Sequence, residues 1–134
     1  MKIPAITAIY AGLLMLLYVA LSFNVIRQRQ GNRISLGDGG NADLRVAIRS
    51  HGHFGEYVPF ILLLIAILEG GGVSTGMVHA LLVTLLIARV LHPVGMAAKP
   101  GTPQFTIGRV GGMVLTLTVM IASALIALWR FALT

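Results

Sequence analysis

Arg45, Arg49, His53 and Glu56 recur at spacings of four, four and three, which on a helix gathers two guanidiniums, an imidazole and a carboxylate on one face. Arg89, His92 and Met96 share a face in the same way further along the chain, and Arg109 stands between Gly108 and Gly112. Arginine forks can hold carboxylates in bidentate fashion, and the lone carboxylate of such a set can take an ammonium group. A guanidinium beside a sulfur favours thiolate over thiol, since a free thiol ionises near pH ~8.5 and a neighbouring cation lowers that value. The chain has no cysteine, which excludes a disulfide framework, a thiolate metal site and a cysteine nucleophile. Any thiol chemistry must use sulfur brought by the substrate.

These groups have to be positioned by elements that are overwhelmingly apolar. Of 134 residues, 57% are hydrophobic and only 10% charged, and the mean hydropathy is +0.90; soluble domains average about 25% charged residues. That composition argues against a water-soluble globule. The net charge of +6 would elsewhere point to nucleic acid. Here the bases lie between long apolar runs, so membrane topology is the simpler account and no nucleic-acid partner is expected.

The 24 residues from Ile3 to Ile26 carry no charge, about 36 Å of helix against a hydrocarbon core of roughly 30 Å. This reads as a full span; a cleaved signal peptide, whose apolar core runs about 7 to 15 residues, is the competing reading. Residues 27 to 53 form the longest loop. The apolar run Tyr57 to Leu68, stopped by Gly70, Gly71 and Gly72, is too short to cross, so its helix must reach back through Glu56 to Arg49 or Arg45. A third span fits Met77 to about Ala98, with a kink expected at Pro93, and a fourth runs from about Ile107 to Phe131. The expected fold is an all-α integral membrane bundle of four transmembrane helices, with residues 1–134 as one domain.

The first and third loops and their flanks hold Arg27, Arg29, Arg33, Arg45, Arg49, Lys99 and Arg109, against Lys2 and Arg130 on the other side. The positive-inside rule then places those two loops in the cytoplasm. Counted up from the opposite side, Glu56 lies about 19 Å along its helix and Arg89 about 18 Å along the next, so the two are level. Unpaired charges at that depth cost at least a few kcal/mol, which makes them expected partners, directly or through a polar ligand. The plainer reading is a structural Arg89–Glu56 bridge joining two helices. Gly108 and Gly112 should let a neighbouring helix approach closely and bring Arg109 toward the other groups, whereas the plainer reading of Arg109 is a snorkelling side chain. His51, His53 and His92 do not make a convincing metal set. The stretch from Gly37 to Asn41 reads as a turn ending at a helix cap, Asn41 or Asp43. A ligand suited to the pocket carries more than one carboxylate and one ammonium. Glutathione, which adds a thiol, fits that inventory, although composition alone does not name it.

The segment from Gly37 to Glu69, with Arg89, His92 and Arg109, resembles the MAPEG family, the membrane-associated proteins in eicosanoid and glutathione metabolism. Arg49, His51, Glu56, Tyr57 and Pro59 match its Arg-x-His-x-Asn-x-x-Glu-Tyr-x-Pro pattern on the second helix. The resemblance implies a homotrimer of four-helix subunits in the cell (inner) membrane, with glutathione as co-substrate bound between neighbours on the cytoplasmic side. It implies that Arg49, His53, Glu56, Tyr57, Arg89 and His92 occupy glutathione-binding positions, with Arg27 (or Arg29) a weaker match to an adjacent-subunit contact. Arg109 matches the arginine that activates the thiol.

Three residues depart from the pattern: His53 stands at the usual asparagine, Met96 at a common tyrosine, and Val110 after Arg109 where one enzyme branch has serine. The leading functional expectation is a glutathione transferase, with or without peroxidase activity, acting on lipophilic electrophiles. The alternative is a non-catalytic protein that holds a lipid or a membrane partner, since the family scaffold also serves that purpose. A small multidrug transporter is a third reading, but its essential carboxylate is expected in the first span, which has none.

Overall fold

The computed structural model describes residues 3–132. They form four helices: α1 (Ala5–Asn32), α2 (Ala42–Gly70), α3 (Thr75–Ala97) and α4 (Phe105–Ala132). The first stretch of α4, Phe105–Gly111, is π-helical and the rest is α-helical. Each helix is long and apolar enough to cross a membrane, and no strand occurs among the described residues. Lys2, counted above with the charges of the far side, lies outside those residues.

The helix boundaries follow from capping chemistry more than from hydropathy. Asn41 caps α2, its side-chain oxygen accepting from the Leu44 amide at 2.9 Å, and Asp43 sits in the first turn where the helix dipole favours an acid. The second helix therefore begins a turn earlier than its apolar run requires. Its buried face is already in place there, because Leu44, Ala47, Ser50, Phe54, Val58 and Ile61 recur every three or four residues.

Before that cap the Gly37–Asn41 turn is pinned at both sides. Gly37, Gly39 and Gly40 take left-handed backbone, and the Asp38 carboxylate accepts from the Gly40 amide at 2.9 Å while pairing with Arg45. The Arg45 guanidinium, helped by that amide, holds the Asp38 carboxyl below the ordinary carboxylate range. Arg29 donates to the Gly37 carbonyl at 2.9 Å, and Asn41 donates to the Asn32 side chain at 3.0 Å, so the end of α1 and the start of α2 are tied together.

The opposite end is closed by a cap across the fold. The first turn of α1 has no side-chain cap of its own. Its open amides at Ile6 and Thr7 donate to the Glu69 carboxylate at 2.9 and 2.8 Å, joined by the Thr7 hydroxyl at 2.7 Å. This satisfies donors that would otherwise be left bare at a helix start. Arg130 near the end of α4 donates to the Gly71 carbonyl at 3.3 Å.

Between these ends the helices pack through small residues and aliphatic side chains, as expected where lipid supplies no hydrophobic drive. The closest approach is between α3 and α4. A methyl group on Gly108 would sit 2.6 Å from the Gly95 Cα, and one on Gly95 would sit 1.8 Å from the Arg109 amide nitrogen. The expectation that Gly108 and Gly112 admit a neighbouring helix is met, and the neighbour is α3. The outer surface carries large apolar side chains such as Phe60, Leu63, Ile121 and Leu128, a surface suited to lipid or to other membrane helices.

Candidate functional site

Three helices contribute to one cleft. His53 from α2, His92 from α3, and Arg109, Val110, Met113 and Val114 from α4 line a space of about 290 Å³. The His53 and His92 rings stand edge to face with centroids 5.2 Å apart, and Tyr57 packs edge-on to His53 at 6.2 Å. Within Coulombic reach of the His53 ring are Arg49, Glu56, Arg89 and Arg109. Of the groups read from the sequence, the cleft wall brings together His53, His92 and Arg109. The Nδ1 atom of His53 is buried and has no hydrogen-bond partner.

Arg109 owes its place to the glycines beside it. Gly108 and Gly112 press the backbone of α4 against α3, and the π-helical turn around Arg109 widens the helix at that point, a feature frequent at functional sites. The guanidinium lies 5.2 Å from the centroid of the Phe105 ring, so the cation rests on an aromatic face and remains exposed.

Arg89 requires a correction. Level depth made Glu56 its expected partner, but depth along an axis says nothing about which way a side chain points around it. Arg89 is 1% exposed, faces α4, and donates through Nη2 to the Thr116 hydroxyl at 2.5 Å and to the Gly112 carbonyl at 3.5 Å. Its Nε is buried without a partner. Glu56 instead accepts from Arg49, two turns back on α2, at 3.3 Å, and the two side chains stay 50% and 58% exposed. The Arg45, Arg49, His53, Glu56 face exists, then, but it closes its ion pair within α2.

His51 is drawn away from the cleft. Its Nε2 lies 3.0 Å from the Ser22 hydroxyl, and its ring stacks on Tyr18 at 4.5 Å, so it fastens α1 to α2. Gly55 makes room for this, since a methyl group there would lie 3.2 Å from the Tyr18 hydroxyl. His79, near the far turn, bonds the Tyr10 hydroxyl at 3.1 Å. Arg27 is exposed on α1 and does not line the cleft, while Met96 is buried on the same face of α3 as His92. Among the described residues no three His, Asp or Glu side chains gather as metal ligands.

Sequence reasoning missed Thr116, Met113 and Val114. Thr116 had a signal: Gly108, Gly112 and Thr116 step by four and are all buried, a small-residue stripe that continues through Val119 and Ser123. Met113 and Val114 are ordinary apolar residues, and only the packing shows that they face a cleft.

A four-helix membrane bundle with a polar, arginine-bearing cleft set among its helices defines the class of protein. Residues 7–129 match the model of the MAPEG family, and the chain belongs to that family. It is similar to the inner membrane protein YecN of Escherichia coli, in two strains, at 41% identity over 90 residues, which is 67% of this chain and 69% of YecN. No solved structure matches the chain significantly.

Proposed function

We propose that this protein is a membrane-embedded glutathione transferase that conjugates the thiolate of glutathione to lipophilic electrophiles entering from the bilayer. The observation that carries the reading is the cleft itself: Arg109 with His53 and His92 at its wall, and Arg49, Glu56 and Arg89 within electrostatic reach of the same ring. Arginine supplies bidentate hydrogen bonds for the two glutathione carboxylates. Among the described residues, Glu56 is the acid within electrostatic reach of the His53 ring, and it offers a carboxylate for the ammonium group. Arg109, exposed at the cleft, is placed to stabilise the sulfur as thiolate. The remaining wall, Val110, Met113 and Val114, suits an apolar co-substrate.

Two further parts of the reading rest on the same geometry. Arg49 and Glu56 are charged, lie in a membrane-spanning helix and remain about half exposed. Unshielded charge at that position is costly, which supports coverage by neighbouring copies in a homotrimer, with Arg27 reaching an adjacent subunit's site. The cluster of bases at one end supports a cytoplasmic first and third loop in the inner membrane, where YecN is named as residing.

The test is turnover of glutathione with a generic aryl halide by the purified protein in nanodiscs. Arg109→Ala is expected to lower kcat by about 10²- to 10³-fold, the loss of roughly 2.7 to 4 kcal/mol that follows removal of one oxyanion-type donor. Unchanged turnover would reject the role of Arg109. A second reading, a non-catalytic member that holds a lipid, is favoured by the apolar half of the cleft wall, including Val110 where an enzyme branch has serine. It predicts no turnover and weak or absent glutathione binding by calorimetry.

A further inference from the structure

The cleft contains a problem that a thiolate-stabilising arginine does not solve. Glutathione arrives as a thiol, ionising near pH ~8.5, so a proton has to leave its sulfur near neutral pH. Arg109 can favour the anion but has no lone pair to receive the proton, because a guanidinium remains protonated in proteins. Val110, Met113 and Val114 accept none. Glu56 is already engaged by Arg49 at 3.3 Å. Among the described residues lining the cleft, the acceptors left are the imidazoles of His53 and His92. Imidazole is the side chain whose ordinary ionisation, near pH ~6.5, suits it to take a proton at neutral pH.

Neither ring makes a hydrogen bond within the described residues, and of the two His53 is the more accessible, half-buried where His92 is 2% exposed. The Nδ1 of His53 is covered by the protein, which leaves Nε2 as the ring nitrogen open to a ligand. Tyr57 on its own helix and His92 from α3 stand edge-on to the ring, and the charged groups around it are Arg49 and Glu56 on α2, Arg89 on α3 and Arg109 on α4. The position is also the one at which the family pattern carries asparagine, which can hydrogen-bond a ligand but cannot take its proton.

We propose that His53 is the general base of this protein, taking the thiol proton of glutathione onto the Nε2 of its ring. The proposal rests on the glutathione reading above. In the step, the S–H bond breaks toward Nε2. The sulfur keeps the electron pair, stabilised by Arg109, and attacks the electrophilic carbon. With an aryl halide a C–S bond forms, the carbon–halogen bond breaks, and halide departs with its bonding pair. The imidazolium then returns its proton to water.

His53→Asn restores the family residue and is the informative variant. Glutathione affinity is measured by calorimetry, and the pH profile of kcat/KM with an aryl halide is recorded for both proteins in nanodiscs. The expected result is affinity within about threefold of the parent, a fall in kcat/KM of about 10²-fold or more near pH 7, and a gap that narrows as pH rises past the ionisation of the thiol. The acid limb that the imidazole sets in the parent profile should be replaced in the variant by a limb at the ionisation of the thiol. Parallel profiles at similar rates would overturn the role of His53, as would a variant that loses affinity and turnover in the same proportion at every pH. Absence of glutathione binding by the parent would instead bring down the glutathione reading, and the base with it. Thermal unfolding of both proteins, and rescue of His53→Ala by added imidazole, separate loss of the base from loss of fold; failure of imidazole to rescue a folded variant counts against the proposal.

Discussion

Arg89 lies at the centre of the bundle with Nη2 bonded to Thr116 and Nε bonded to nothing. A buried donor without a partner costs about 1 to 3 kcal/mol, and buried charges replaced by apolar groups of similar size are often neutral or stabilising. By stability alone this position would be better filled by methionine. Arg89→Met is accordingly expected to leave thermal stability within about 1 kcal/mol of the parent, or to raise it, while weakening glutathione binding measured by calorimetry. A variant that unfolds but binds normally when folded would make Arg89 a purely structural residue. The place of Arg89 on a membrane-spanning helix was legible in the sequence, and its partner was not. Counting 1.5 Å per residue along a helix fixes height, whereas the direction around the axis depends on how far each helix is rotated in the bundle. Glu56 and Arg89 share a height, but the residues to which they hydrogen-bond, Arg49 and Thr116, lie on different helices.

At the scale of elements, four helices could be read from four apolar runs, and the second was rightly extended backward because twelve apolar residues cannot cross a bilayer. Its true start was hidden by charge, since Arg45 and Arg49 lower the hydropathy of a stretch whose other face, Leu44, Ala47 and Ser50, is buried. Two features had no sequence signature to find. One is the π-helical turn at Phe105–Gly111; the other is His51, which looks like a site residue in the family pattern although it stacks on Tyr18. The glycine pair was legible for a physical reason: only residues without side chains permit the separation observed between α3 and α4. Gly108→Ala would place a methyl 2.6 Å from the Gly95 Cα and 2.9 Å from the Leu91 carbonyl oxygen, both of them backbone. The helices must then part, at a cost of about 1 to 3 kcal/mol for overpacking, and Arg109 moves with α4. The expected outcome is a lowered unfolding temperature together with loss of turnover. Wild-type stability in this variant would show that the close approach is not required.

At the scale of the whole molecule, the two ends are built differently. One end is sealed by Glu69 across the start of α1 and by Arg130 on Gly71, and the other gathers the arginines and the cleft. His53, His92 and Arg109, from three helices, meet at one cleft, and the reading of function depends on that cleft having a ligand. The most direct test is a structure of the protein in nanodiscs with glutathione bound. The account predicts the sulfur within hydrogen-bonding distance of Arg109 and His53, with the carboxylates on arginine and the ammonium on Glu56. Glutathione bound elsewhere, or this cleft filled by lipid under saturating glutathione, would contradict it.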